Sequence, residues 1–347
     1  MRIFSGIQPT GSKHLGNYIG AISQYVAAQD RGEALFCIVD LHAITVPYEP
    51  AELRARVYDT TAILLAAGLD AERCILFRQS DVAEHTELTW LLSSVTELGR
   101  LQRMHQFRDK SLAQRELVSA GLLMYPVLQA ADVLAYRANE VPVGEDQREH
   151  LELMRDSARR FNARFAGGDE VLVVPEHRIP EVGARIMDLQ DPTRKMSTTG
   201  SSEQGTVYVL DEPAAIEKKL RSAVTDSGEG IRRDAGKPGI SNLIEILAAV
   251  RGVSAESVEA DYRESRYGDF KSEVAGAAVD YLAPARERYV ELRAGEARLE
   301  STLSEGAERA RTIASLTLAD VRERMGLGAP RAAGGLATSG TLDTVVE

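Results

Sequence analysis

A chain of 347 residues with 44% hydrophobic and 27% charged content is long enough for two domains and ordinary for a globular protein, which excludes large-scale disorder. No run approaches the ~18 apolar residues of a membrane span, and no charged N-terminal segment leads into an apolar core and cleavage site, so a cytoplasmic protein without membrane association is expected. The net charge of −11 argues against bulk attraction to a phosphate backbone, but basic residues gather at Arg100, Arg103, Arg108, Lys110 and Arg115, and again at Lys218, Lys219, Arg221, Arg232, Arg233 and Lys237, which leaves RNA contact or merely solvated helix faces as alternatives.

Residues 2–6 predict a strand, Gln8-Pro9-Thr10-Gly11-Ser12 a turn-rich loop, and Tyr18, Ile19, Ile22, Tyr25 and Val26 the apolar stripe of a following helix. Such an entry turns unpaired N–H groups and the positive end of the helix dipole toward an anion over the loop, and Gly16 lets that ligand approach the backbone. Apolar runs and amphipathic segments then alternate: ALFCIV before 51–67, CILF before 84–95, a helix over 145–161, and VLVV at 171–174 as a further buried strand. The pattern predicts an α/β fold in which a Rossmann-like parallel sheet carries helices on its faces, with ligands beyond the carboxyl ends of the strands and Gly6, Asp40 and Gly144 on that rim. Cys37 and Cys74 lie within apolar runs and read as small buried hydrophobes; no cluster with metal-ligand spacing is present, so no protein metal site is expected.

After Asp211 helical signals dominate, over 214–223, 240–250, 254–262 and 270–292, the last interrupted or kinked at Pro284. A final helix over about 299–325 ends at Gly326-Leu327-Gly328. The predicted organisation is an α/β domain over 1–205, an appended all-helical domain over 206–327 and a flexible tail over 328–347.

Two distant stretches carry the most specific chemistry: His14-Leu15-Gly16-Asn17 in the first loop, and Lys195-Met196-Ser197-Thr198-Thr199 in a segment punctuated by proline, glycine, serine and threonine that reads as a mobile loop. In that order, and with FCIVDLHAIT, YPVLQAADVL and VPVGEDQREH between them, they resemble the HIGH and KMSKS signatures of the class I aminoacyl-tRNA synthetases, tryptophanyl branch, across roughly residues 1 to 325. The resemblance implies activation of L-tryptophan by ATP, with release of pyrophosphate and transfer to tRNA(Trp), in a homodimer whose helical domain binds the anticodon. It implies ATP as substrate and Mg2+ carried on the ATP phosphates. It makes His14, Lys195 and Lys110 the catalytic cations and donors. Gln8, Pro9, Thr10, Gly16, Asn17, Gly144, Glu145, Asp146, Ile186, Lys195, Met196, Ser197, Thr198 and Thr199 become the nucleotide site. The chain departs from the pattern where Thr198 replaces the second lysine and Thr199 the closing serine, and Arg194 or Lys110 is left to compensate.

On a helix, Tyr125, Gln129 and Asp132 share one face, where Asp132 can accept the indole N–H. A buried acceptor that phenylalanine leaves unpaired rejects it on the order of 10⁴-fold. By resemblance Phe4, His42, Val141 and Val143 wall the pocket, and Tyr125 and Gln147 hold the substrate's ammonium or carboxylate. Gln129 stands where the bacterial tryptophanyl enzymes often have methionine, and the Tyr-Gln-Asp triple is similar to a tyrosyl pocket. Tyrosine is therefore the alternative substrate, and a synthetase-like paralogue with a non-charging binding role is the alternative of another class. Locally, Glu145 and Asp146 serve equally well as helix N-caps.

Overall fold

A computed structural model describes residues 1–107, 118–142, 147–178, 185–197 and 202–328. Among them five strands form one parallel sheet: β1 (Arg2–Ile7), β2 (Glu33–Ile38), β3 (Ile75–Arg78), β4 (Glu140–Pro142) and β5 (Glu176–Arg178), in the order β3-β2-β1-β4-β5. From β1 the chain builds outward through β2 and β3 and then returns to place β4 on the other flank, with Ile3 opposite Glu140. The direction of winding therefore reverses between β1 and β4. In open parallel sheets a crevice forms at such a point, beyond the carboxyl ends of the strands.

Both faces of the sheet are buried, and successive residues alternate between two cores. Ile3, Ala34, Phe36, Ile38 and Leu76 point into one, which continues into the helical region through Ile216, Leu243, Phe270 and Leu282. Phe4, Leu35, Cys37, Ile75 and Phe77 point into the other, closed by Leu88, Val127, Leu151 and Ala310. Cys37 and Cys74 are free and buried.

The helices follow their local signals. The first helical segment comprises α1 (Leu15–Asn17), a π-helical turn over Tyr18–Ile22, and α2 (Ser23–Ala28). Next come α3 (Asp40–Ala43), α4 (Pro50–Ala66), α5 (Glu84–Ser93) and α6 (Leu98–Arg103). Ser119 caps α7 (Ala120–Leu134) by accepting from the Leu122 N–H, and α8 (Arg148–Phe165) follows. Beyond residue 205 lie α9 (Pro213–Arg221), α10 (Pro238–Arg251), α11 (Ala255–Tyr262), α12 (Tyr267–Arg293) and α13 (Glu296–Arg324). Proline opens α9 and α10, where its missing N–H costs nothing, and Gly252 at φ 67° ends α10.

Two local expectations are corrected. Residues 171–174 are buried in part but form no strand. The side chain of Asn162 takes both backbone groups of Leu172, at 2.8 and 3.0 Å, and Arg137 donates to the Val171 carbonyl, so the first half of this apolar run is bonded to side chains and not to a neighbouring strand. The last strand is the short, polar Glu176–Arg178 instead. Nor is α12 interrupted at Pro284: buried Val274, Ala275, Ala278 and Leu282 before it and Ala285 after it hold the helix against the core across the missing N–H. The predicted tail beyond residue 328 lies outside the described residues.

The helical region is tied back to the sheet. Arg293 and Tyr289 of α12 donate to Asp59 of α4 at 2.6 and 3.0 Å, and Arg78 at the end of β3 donates to Glu300 of α13 at 2.9 Å. α13 lies along β3 so closely that a Cβ on Gly306 would fall onto the Leu76 carbonyl oxygen. Gly306→Val should therefore destabilise the fold by about 2–3 kcal/mol, whereas Gly276→Ala in α12, where a Cβ meets nothing within 4 Å, should be neutral or stabilise by about 0.5 kcal/mol; urea midpoints of the two variants check this.

Candidate functional site

The loop leaving β1 is built around a buried ammonium. Lys13 donates from Nζ to the carbonyl of Gln8 at 2.6 Å and to that of Thr10 at 3.4 Å, folding the loop over its own side chain, while Gly11 takes the left-handed φ of 63° that the turn requires. Burial, and then the nearby Arg56, lower the Lys13 pKa to about 8. His14 follows as the N-cap of α1: Asn17 N–H donates to its Nδ1, and its own N–H donates to Asn17 Oδ1, each at 3.2 Å. A ring nitrogen that accepts carries no proton, so the imidazole is neutral and bears its hydrogen on Nε2. Burial, reinforced by Lys195 and then Lys13, lowers the His14 pKa to about 4 and keeps it neutral at pH 7.

The second stretch lies beside this loop. Residues 186–188 and 194–196 pair antiparallel, through Met196 N–H to Ile186 O at 3.0 Å and Asp188 N–H to Arg194 O at 2.8 Å, which anchors buried Met196 and leaves Lys195 exposed. Ile186 stands beside Gly16, on which a Cβ would sit 3.4 Å from it and 3.1 Å from the His14 ring. Leu15 N–H donates to Val207 O and Val209 N–H to Lys13 O, at 2.8 and 2.9 Å, so the chain just after the second stretch is stitched to the first. The bridged Tyr208 is itself covered by the Lys219 ammonium, 5.0 Å from its ring centre. Three positive or hydrogen-donating groups, Lys13, His14 and Lys195, thus gather where the first helix begins.

A second group hangs from α7 and from the turns after β2 and β3. Asp132 is 1% exposed and accepts three bonds: from His42 Nε2 at 2.8 Å on Oδ2, and from His85 Nδ1 and Gln79 Nε2, both at 2.6 Å, on Oδ1. Burial alone would raise its pKa; the bonds from His42 and His85 outweigh it and hold the carboxyl well below the usual range. Along the same helix face Tyr125 packs edge-on to His42, donates to Gln106 Oε1 at 3.2 Å and meets His150 Nε2 at 3.0 Å, while Gln129 donates to Gln147 at 3.3 Å. Phe4 of β1 is buried, stacked on Tyr136 at 5.5 Å, and Val141 of β4 is buried beside the reversal of the sheet.

Contacts therefore join His42 to Asp132 and Tyr125, and Gln129 to Gln147, while Phe4 and Val141 belong to the buried core on that face of the sheet; His14, Gly16, Asn17, Ile186, Lys195 and Met196 gather at the first helix start. Lys110, Val143, Gly144, Glu145, Asp146, Thr198 and Thr199 lie outside the described residues, as do Arg108 and Arg115 of the first basic cluster. In the second basic cluster, Lys219 is bound to Asp211 at 2.7 Å, Lys237 to Asp226 at 3.2 Å, and Arg233 to Glu245, Glu256 and Glu259, so these three of its six cations are engaged by acidic side chains of the protein itself. Sequence reasoning missed Gln79, His85, Tyr136 and Lys13. His85 was findable, since it sits on the same stripe as buried Leu88 and Leu92, where a histidine needs a partner.

Residues 1–283 match the family model for class I tRNA synthetases (W and Y). The chain is 50% identical to tryptophan–tRNA ligase 2 of Streptomyces avermitilis, over 94% of its own length and 96% of the relative's. Its fold matches the crystal structure of the tryptophanyl-tRNA synthetase of Mycoplasma pneumoniae at a TM-score of 0.86 with 35% identity, covering 94% of this chain and 98% of that one. It also matches the Campylobacter jejuni tryptophanyl-tRNA synthetase complexed with ADP and tryptophan, at a TM-score of 0.80 with 33% identity, covering 94% and 100%. With its sheet, its two signature stretches and these likenesses in agreement, the chain belongs to the class I tRNA synthetase family that serves tryptophan and tyrosine.

Proposed function

We propose that this protein is a tryptophan–tRNA ligase of the cytoplasm. The carboxylate of tryptophan attacks the α-phosphorus of ATP, pyrophosphate leaves, and the adenylate is esterified to the 3′ end of tRNA(Trp). The observation that carries this is the gathering of His14, Lys13 and Lys195 over the first helix start. The reaction needs no protein nucleophile, only alignment and positive charge where the leaving phosphates gain electrons. Neutral His14 offers its Nε2–H to a phosphate oxygen; exposed Lys195 swings onto the leaving pyrophosphate; Lys13 holds the Gln8–Thr10 loop in shape.

Gln8, Pro9, Thr10, Gly16, Asn17, Ile186, Met196 and Ser197 form the nucleotide site in this proposal, joined by Gly144, Glu145, Asp146, Thr198 and Thr199, with Lys110 as a further cation. Asp132 takes the indole N–H, Phe4, His42, Gln129, Val141 and Val143 enclose the ring, and Tyr125 and Gln147 hold the amino-acid end. Magnesium arrives on the triphosphate; among the described residues no group of three His, Cys, Asp or Glu is arranged to hold an ion, and the groups around His14 are lysines suited to phosphate oxygen. Residues 206–327 are the anticodon-binding region. A second copy completes the functional dimer, and the 76% exposed Trp90 on α5 is consistent with a covered surface there.

The deciding experiment is amino-acid-dependent exchange of pyrophosphate into ATP followed by tRNA charging. Tryptophan should stimulate exchange and tyrosine should not; the reverse selectivity would make the protein a tyrosyl enzyme, and exchange without charging of tRNA(Trp) a non-charging paralogue. Lys195→Ala, at an exposed position that leaves the fold alone, should slow adenylate formation by about 2–4 kcal/mol in barrier, read as the pre-steady-state burst; an unchanged burst removes the loop from the mechanism.

A further inference from the structure

A hydrogen-bonded chain runs beneath the carboxylate of Asp132. The Tyr136 hydroxyl lies 2.6 Å from His85 Nε2, His85 Nδ1 lies 2.6 Å from Asp132 Oδ1, and Gln79 Nε2 lies 2.6 Å from that same oxygen. An ionised carboxylate only accepts, so His85 carries a hydrogen on Nδ1, and its Nε2 shares the second bond with the Tyr136 hydroxyl. The far end of Gln79 is fixed as well, because its Oε1 accepts the Leu41 N–H at 3.0 Å. His85, Gln79 and Tyr136 are fully buried, and Phe77 packs edge-on against both rings, with centres 5.9 and 5.7 Å away. None of these groups can turn without breaking its neighbour's bond.

The count of acceptor sites then matters. Each carboxylate oxygen offers about two lone-pair directions. Oδ1 has both filled, by His85 and Gln79, whereas Oδ2 receives only His42 among the described residues. We infer that His85, Tyr136 and Gln79 are positioning residues for amino-acid selection: by saturating Oδ1 they fix the rotation of the Asp132 carboxylate, so that its one open acceptor direction, on Oδ2, meets a single ring N–H of the substrate. This rests on Asp132 as the indole acceptor proposed above. A carboxylate freed to rotate could satisfy itself internally and would no longer distinguish a ring that donates from one that does not.

The test compares tryptophan with its isostere in which sulfur replaces the indole N–H, each assayed by pyrophosphate exchange over a range of amino-acid concentrations. His85→Leu should lower kcat/KM for tryptophan about 10- to 100-fold, mainly through KM, and leave the value for the sulfur isostere nearly unchanged. His85→Asn, whose side-chain amide can replace the Nδ1–H, should recover most of the loss. Tyr136→Phe keeps the ring packing and so guards against a variant that fails to fold; it should shift the ratio in the same direction by about 3- to 10-fold. Equal losses for both amino acids, or an unchanged KM for tryptophan in every variant, overturn the inference. If the unaltered protein itself activates the two amino acids equally well, Asp132 is not the N–H acceptor, and that earlier assignment falls with it; strong discrimination by the unaltered protein with no change in the variants removes the positioning role alone.

Discussion

Burying a carboxylate that has no lysine or arginine beside it among the described residues is the constraint around which the α/β part is arranged. Left unpaired, Asp132 would cost several kcal/mol or pick up a proton. The chain solves this with hydrogen-bond donors drawn from three places: His42 just after β2, Gln79 just after β3, and His85 in the first turn of α5. Those bonds tie α7 to the carboxyl ends of two strands, so the same interactions that make the charge tolerable also set the spacing between helix and sheet. The carboxylate stays ionised, and an ionised acceptor makes stronger hydrogen bonds than a neutral one.

Much of this was legible beforehand, and the failures have identifiable causes. β1, β2 and β3 could be read because strands buried on both faces appear as continuous apolar runs. Residues 171–174 gave the same signal for a different reason, since an apolar run shows burial and not pairing, and here side chains took the place of a neighbouring strand. β5 was invisible because Glu176–Arg178 carries no apolar residue; its pairing with β4 is made by backbone groups alone. His14 and Lys195 could be singled out from their motifs, although 181 positions separate them. Gln79 and His85, which also bind Asp132, could not, because they lie 53 and 47 positions away and no local periodicity couples them.

Charge tells a similar story. A patch of lysines and arginines in the sequence looks like an RNA footprint, yet Lys219, Lys237 and Arg233 each face acidic side chains that fold the helical region onto itself. Binding a polyanion with an acidic protein depends on the cations that are not engaged in this way, and its salt dependence reports how many meet phosphates.

The placement of α13 bears on how the chain can mature during synthesis. Arg309 donates to the carbonyl of Cys74 across 235 positions, and the helix runs along β3, the strand at one end of the sheet. At a ribosomal pace of about 5–20 residues per second, roughly ten to fifty seconds separate the emergence of that strand from the emergence of its cover. Through that interval the nascent sheet presents an open border to neighbouring polysomal chains, so chaperone occupancy and premature termination near residue 290 are where this protein is most exposed to misassembly.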